Sequence, residues 1–146
     1  MGNISENFSF KEFECSDTVK THGITNVITS WDVRDNIVAL VLNLLQPART
    51  AYGEPVFVTS GYRCWELNEL VGGVESSQHP LGEAADVTCS DLRKLAEIIL
   101  EQRLPFDQMG VANNYLHLSY KREGKNRGQI YYYKSYRGKR DLKAHV

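Results

Sequence analysis

Ser77, His79, Gly82, Ala84 and Asp86 read S-x-H-x-x-G-x-A-x-D along the chain. A histidine and an aspartate seven residues apart, with a glycine between them and a small residue just ahead of the aspartate, suit a metal site that takes one ligand from a loop and the next from the strand that follows. A second histidine, His117, stands in the strand-like run Leu116-His117-Leu118-Ser119-Tyr120. Two imidazoles and one carboxylate bind zinc through three ligands and leave the fourth position to water, which is the catalytic and not the structural pattern. Zinc held in that way lowers the pKa of water toward ~7 and polarises a carbonyl, which is sufficient chemistry for amide hydrolysis.

Taken singly, each residue has a plainer role. His79 alone is a surface-loop histidine whose glycine only makes the turn, and His117 between two leucines is a core histidine. Asp86 favours the metal reading, because a carboxylate inside an apolar strand stays buried only when it is paired or metal-bound. Ser77 either bonds a substrate backbone or only shapes the loop before His79. Arg63, which follows Ser60-Gly61-Tyr62, is by itself a solvated loop charge.

The elements that must carry these residues follow from hydrophobic periodicity. Ser9 caps a short helix that buries Phe10 and Phe13. A long helix starts near Ser30, with Val33, Ile37, Leu40, Val41, Leu44 and Leu45 at helical spacing, and Pro47 should kink or restart it. Pro55-Val56-Phe57-Val58-Thr59 reads as a strand between Gly53 and Gly61. A brief helix from Trp65 to Leu70 ends at Gly72-Gly73. Ala84 to Cys89 is a strand, and Ser90 or Asp91 caps a helix with the stripe Leu92, Leu95, Ala96, Ile99 and Leu100. Tyr115 to Tyr120 and Gln129 to Tyr133 read as strands joined through a turn containing Gly124. The pattern is α+β, and nothing along residues 1–146 marks an internal repeat, a linker or a domain boundary.

With 146 residues the chain is sized for one domain with a real core, and its net charge of −1 gives no whole-chain argument for nucleic acid. The segment 121–146 departs from that average: nine lysines and arginines stand against Glu123 and Asp141, a net +7. Interleaved with Tyr131-Tyr132-Tyr133, these cations suit an anionic partner, although a solvated charged tail is the plainer reading. Cys15, Cys64 and Cys89 cannot all pair within one chain and lack C-x-x-C spacing, so buried free thiols are expected. The first seven residues show neither a basic region nor an apolar run, so no signal peptide is visible, and no segment approaches the ~20 apolar residues of a membrane span. Synthesis in the cytoplasm, with another route of release to a cell wall, is the corresponding expectation.

At these residues the sequence resembles the zinc D-Ala-D-Ala carboxypeptidase and peptidoglycan endopeptidase family, peptidase family M15. The resemblance runs from Phe8 to about Gln129. It rests on Phe8-Ser9-Phe10-Lys11-Glu12-Phe13, Ser60-Gly61-Tyr62-Arg63, Leu67-Asn68 with Val71-Gly72-Gly73, the S-x-H-x-x-G-x-A-x-D block and His117-Leu118-Ser119, a set that is specific because of its order. It implies a small α+β domain around a central antiparallel sheet flanked by helices, the hedgehog-like architecture. It also implies one zinc on His79, Asp86 and His117, and hydrolysis of peptide bonds in cell-wall stem peptides that contain D-amino acids, by a carboxypeptidase or an endolysin-like endopeptidase. The family's arginine after Gly-Tyr points at the site, which makes Arg63 a candidate oxyanion donor. Many members carry an acid three residues before the last histidine, where this chain has Asn114. Asp107 is the nearest upstream acid and thus the candidate general base, and a carboxylate placed at position 114 is expected to raise activity. Asn114 also motivates a rival reading, a zinc-containing module that binds wall peptide or a protein partner without catalysis. A weaker third is anion binding, to wall polymer rather than nucleic acid, through the basic C-terminal segment.

Overall fold

The computed structural model describes residues 2–143. Its frame is a five-stranded sheet built from β1 (Phe57–Ser60), β2 (Ala84–Thr88), β3 (Gln108–Val111), β4 (Leu116–Ser119) and β5 (Gln129–Tyr132), in the order β1-β2-β4-β3-β5. The ladders β1–β2, β2–β4 and β3–β4 are antiparallel, as the resemblance implies, whereas β3 and β5 run parallel. β4 and β5 are therefore not a hairpin about Gly124. The chain leaves β4, passes Gly124 and returns beyond β3 to pair with its outer edge, because β2 already occupies the other side of β4.

Among the described residues six α-helices accompany the sheet: α1 (Phe10–Glu14), α2 (Asp17–His22), α3 (Trp31–Leu40), α4 (Gln46–Tyr52), α5 (Trp65–Leu70) and α6 (Leu92–Glu101). Glu12 reaches back to accept the Ser9 backbone N–H at 3.1 Å, which fixes the start of α1 and buries Phe10 and Phe13. Between α3 and α4 the helical run continues without a break. It widens into a π-turn over Val41–Leu45, where the Gln46 N–H donates to the Val41 carbonyl five residues back. The wider turn absorbs Pro47, whose missing N–H and bulky ring an ordinary helical turn cannot accommodate. Asp91 caps α6 by accepting the Lys94 N–H at 3.1 Å.

One face of the sheet is apolar, since Ala85, Val87, Met109, Val111, Leu116 and Leu118 alternate inward along their strands. They share a buried cluster with Ile37, Leu40 and Leu44 of the long helical segment and with Leu95 and Ile99 of α6. The other face is left to polar chemistry. The cysteines do not follow expectation: all three are free thiols, but Cys15 is exposed and Cys64 and Cys89 are half-buried. No helix among the described residues is long and apolar enough to cross a membrane. In the basic segment, Arg127 pairs with Asp107, Arg122 with Asp32 and Glu123, and Arg93 of α6 with Asp141, so the described part is tied to the domain; residues 144–146 lie outside the described residues.

Candidate metal centre

The polar face carries a transverse row of opposed residues across all five strands. Ser60 of β1 stands opposite Asp86 of β2, Asp86 opposite His117 of β4, His117 opposite Gly110 of β3, and Gly110 opposite Tyr131 of β5. Residues directly opposed across neighbouring strands point to the same side, so strand register alone brings Asp86 and His117 together. His79 joins them from the loop that Gly82 turns. Gly82 sits at φ +76°, and a side chain there would meet the Val33 carbonyl oxygen at 2.5 Å, so only glycine lets this loop lie against α3.

One donor atom from each of His79, Asp86 and His117 lies within 4.8 Å of the others. Asp86 Oδ1 is 2.9 Å from His117 Nδ1 and 3.5 Å from His79 Nε2. His79 is 2% exposed, and its Nδ1 donates to the Gly61 carbonyl at 2.7 Å. That bond places the proton on Nδ1 and leaves the Nε2 lone pair facing Asp86, the tautomer a metal ligand requires. Burial alone would push the Asp86 carboxyl up, but the His117 and His79 rings beside it outweigh that and hold the group well below the usual carboxylate range. Two imidazole nitrogens and one carboxylate oxygen, converging and nearly buried, fit a zinc ion.

Arg63 is positioned from three sides. Its Nε donates to Ser60 Oγ at 3.0 Å, one terminal nitrogen to Asn68 Oδ1 at 3.3 Å and the other to Asp86 Oδ2 at 3.4 Å. Burial draws the guanidinium below its ordinary pKa and Asp86 opposes that shift; a group this basic stays charged. Ser77 shapes the loop, its oxygen accepting the His79 N–H at 3.3 Å, and the residue lines the cleft. The cleft, about 700 Å³, has the metal group and Arg63 in its wall, Tyr115, Tyr131 and Tyr133 to one side, and Gln108, Lys121 and Arg127 among its other lining residues.

Asp107 has a different job from the one its sequence position suggests. It is fully buried, does not line the cleft, and accepts three bonds from Arg127: the backbone N–H at 3.1 Å, Nε at 2.9 Å and a terminal nitrogen at 2.7 Å. The Arg127 guanidinium holds its carboxyl below the ordinary range, so it anchors the approach to β5 and is not a base poised over the metal group. Asn114 is exposed and lines a second cavity of about 420 Å³ with Asn113, Asp91 and Tyr136. Period-two alternation carried back from His117 sends Tyr115, not Asn114, into the metal cleft, and Asn114 falls with Leu116 on the other side. A carboxylate at position 114 would therefore face the wrong cavity. Sequence reasoning missed Ser60, Asn68, the Gly61 carbonyl, Gly110 and the cleft tyrosines. The period-two spacing of Tyr131 and Tyr133, and a glycine inside a strand, are the signals that could have found the last of them.

A family model described as Peptidase M15 matches residues 6–119. The chain belongs to the peptidase M15 family. The matched span holds Arg63, Ser77 and the whole His79-Asp86-His117 group, while β5 and its tyrosines lie beyond it. No curated protein matches the chain.

Proposed function

We propose that this M15 protein is a zinc-dependent peptidase that hydrolyses peptide bonds in peptidoglycan stem peptides, either as a D-Ala-D-Ala carboxypeptidase or as an endopeptidase within the stem. The observation that carries the reading is the convergence of His79 Nε2, Asp86 Oδ1 and His117 Nδ1 in the wall of an open cleft beside a fixed arginine. Zinc, when bound by these three residues, supplies a Lewis acid that acidifies water and polarises a carbonyl. The chain's own residues supply the rest. Gly61 fixes the His79 tautomer, Asp86 balances the cationic side of the site, and Arg63 presents donors where negative charge grows on a carbonyl oxygen. Because Ser60, Asn68 and Asp86 already hold the guanidinium, little reorganisation is required as that charge develops.

The cleft-lining carboxylates are Asp86 and Glu83, and Glu83 accepts a hydrogen bond from Gln78 at 3.2 Å. This favours the second reading, a zinc-containing module that binds wall peptide without turnover, over any pathway that needs a free side-chain base. Digesting purified peptidoglycan with the zinc-loaded protein and identifying the fragments by mass separates the alternatives. Free D-alanine marks a carboxypeptidase, and shortened stems or opened cross-links mark an endopeptidase. Retention on wall material with no released fragment establishes the binding module. We extend the same proposal to the exposed cations Lys125, Lys134, Arg137 and Lys139, which would add a salt-sensitive contact to anionic wall polymer.

A further inference from the structure

We infer that Tyr131 is a catalytic residue of this site, donating a hydrogen bond to the oxygen of the scissile carbonyl from the side opposite Arg63. The inference rests on the metallopeptidase reading and goes beyond it, because β5 lies outside the stretch that matches the family.

The argument starts from Gly110. A glycine in a strand interior weakens the strand, so its presence marks a place where something must approach closely. Here that neighbour is the phenol of Tyr131: a methyl group on Gly110 would come within 2.6 Å of both Cζ and the hydroxyl oxygen. The hydroxyl end of the ring thus lies over the Gly110 backbone, on the strand between its own and that of His117. Since Gly110 is directly opposed to His117, the hydroxyl is carried about one strand spacing, ~4.8 Å, from the His117 backbone. The two rings have centroids 6.4 Å apart. Any side chain on Gly110 would displace the phenol, and no other position in the row lacks a side chain.

The hydroxyl is also held from behind. Tyr133 places its own hydroxyl 3.5 Å from that of Tyr131, and Tyr115 packs on Tyr133 with centroids 5.6 Å apart. Tyr132, pointing the other way, packs on Tyr136, so strand alternation separates the two cleft tyrosines from the core one. A phenol is neutral near pH 7 and is therefore a donor and not a proton acceptor. The transverse row now reads as a sequence of roles. Arg63, bonded to Ser60, stands at one end, the metal group in the middle, and the Tyr131 hydroxyl beyond Gly110. Two fixed donors flank the place where a bound carbonyl must lie, and as its oxygen gains negative charge the phenol proton stays on Tyr131 while its hydrogen bond shortens.

Tyr131→Phe removes one oxygen and keeps the ring, and Gly110→Ala keeps the hydroxyl but pushes the ring aside. Both are compared with wild type, zinc-loaded, on a D-amino-acid-containing stem peptide, and each is titrated by calorimetry with a phosphinate analogue of that peptide, which mimics the tetrahedral transition state. Tyr131→Phe is expected to lower kcat by about a hundredfold with KM changed less than about threefold, and to weaken phosphinate binding by a similar factor. Zinc content and melting temperature stay as in wild type. Gly110→Ala should move the same quantities in the same direction, and adding it to Tyr131→Phe should cost little more, as expected of two changes acting through one hydroxyl. Wild-type kcat and phosphinate affinity in Tyr131→Phe overturn the role of Tyr131 and leave the peptidase reading standing. A wild-type protein that neither cleaves the peptide nor binds the phosphinate overturns both.

Discussion

Asp107→Asn separates the two roles open to that residue. The carboxylate is wholly inside the protein and accepts three N–H bonds from Arg127, whereas the arginine side chain is 51% exposed. Breaking a fully buried ion pair costs about 3–5 kcal/mol, but here the orphaned guanidinium can turn to water, so the cost falls at or below the bottom of that range, about 2–3 kcal/mol. With an unfolding entropy of about 2.1 cal/mol/K per residue over 146 residues, that loss lowers Tm by roughly 7–10 °C. The pH dependence has a definite sign. The folded carboxyl is held below its unfolded value, so its contribution is complete above the unfolded pKa of ~3.9 and disappears as pH falls through the folded one. The gap in Tm between wild type and Asp107→Asn should be constant from about pH 7 to pH 5 and close below about pH 4. Thermal unfolding followed by circular dichroism across that range measures it, with turnover per zinc-loaded folded molecule measured beside it and expected to stay within about twofold of wild type. A variant with unchanged Tm and turnover reduced ~10²-fold or more would refute the anchoring role and restore Asp107 as the base.

Other expectations follow from the same geometry. His79→Ala, Asp86→Ala and His117→Ala should each lose stoichiometric zinc by elemental analysis, and full metal content in all three would remove the assignment. Arg63→Ala should lower kcat by roughly 10²-fold or more while the fold survives, read by steady-state kinetics and circular dichroism together, and wild-type kcat would return Arg63 to a structural role. Asn114→Asp should leave turnover within about twofold of wild type, because position 114 opens on the other cavity; a gain near the ~10²-fold typical of general-base assistance would contradict that placement.

Much of this architecture is legible in the chain because local signals agree with it. The apolar stripe from Val33 to Leu45, the Ser9 and Asp91 starts and the β-branched run before Ser60 each encode one element through spacing alone. β3 escaped notice because Gln108-Met109-Gly110-Val111 has neither β-branched density nor length; it is a strand because β4 and β5 claim both its edges. The parallel placement of β5 is likewise a property of the assembled sheet. In the site, the three metal-group residues are legible because a loop histidine and strand-borne partners leave a fixed interval. What Asp107 does depends on Arg127, twenty residues on, and is not readable from distance along the chain, whereas the direction of Asn114 follows from alternation, three being an odd step from His117. The cysteines were misplaced for a similar reason: a type's average burial says nothing of the particular loop or helix end that holds it.

The transverse row also makes the centre a detector of correct assembly. Strand faces alternate with period two, so a slip of β4 by a single residue would hand its inward place to His117 and present Leu116 or Leu118 to the cleft. Such a chain could remain compact and keep its helices while losing a ligand outright. Metal uptake is then an all-or-none certificate of register: a mispaired sheet has no weaker version of this centre to offer, and ion capture would draw a population of alternative pairings toward the one in which Asp86 faces His117.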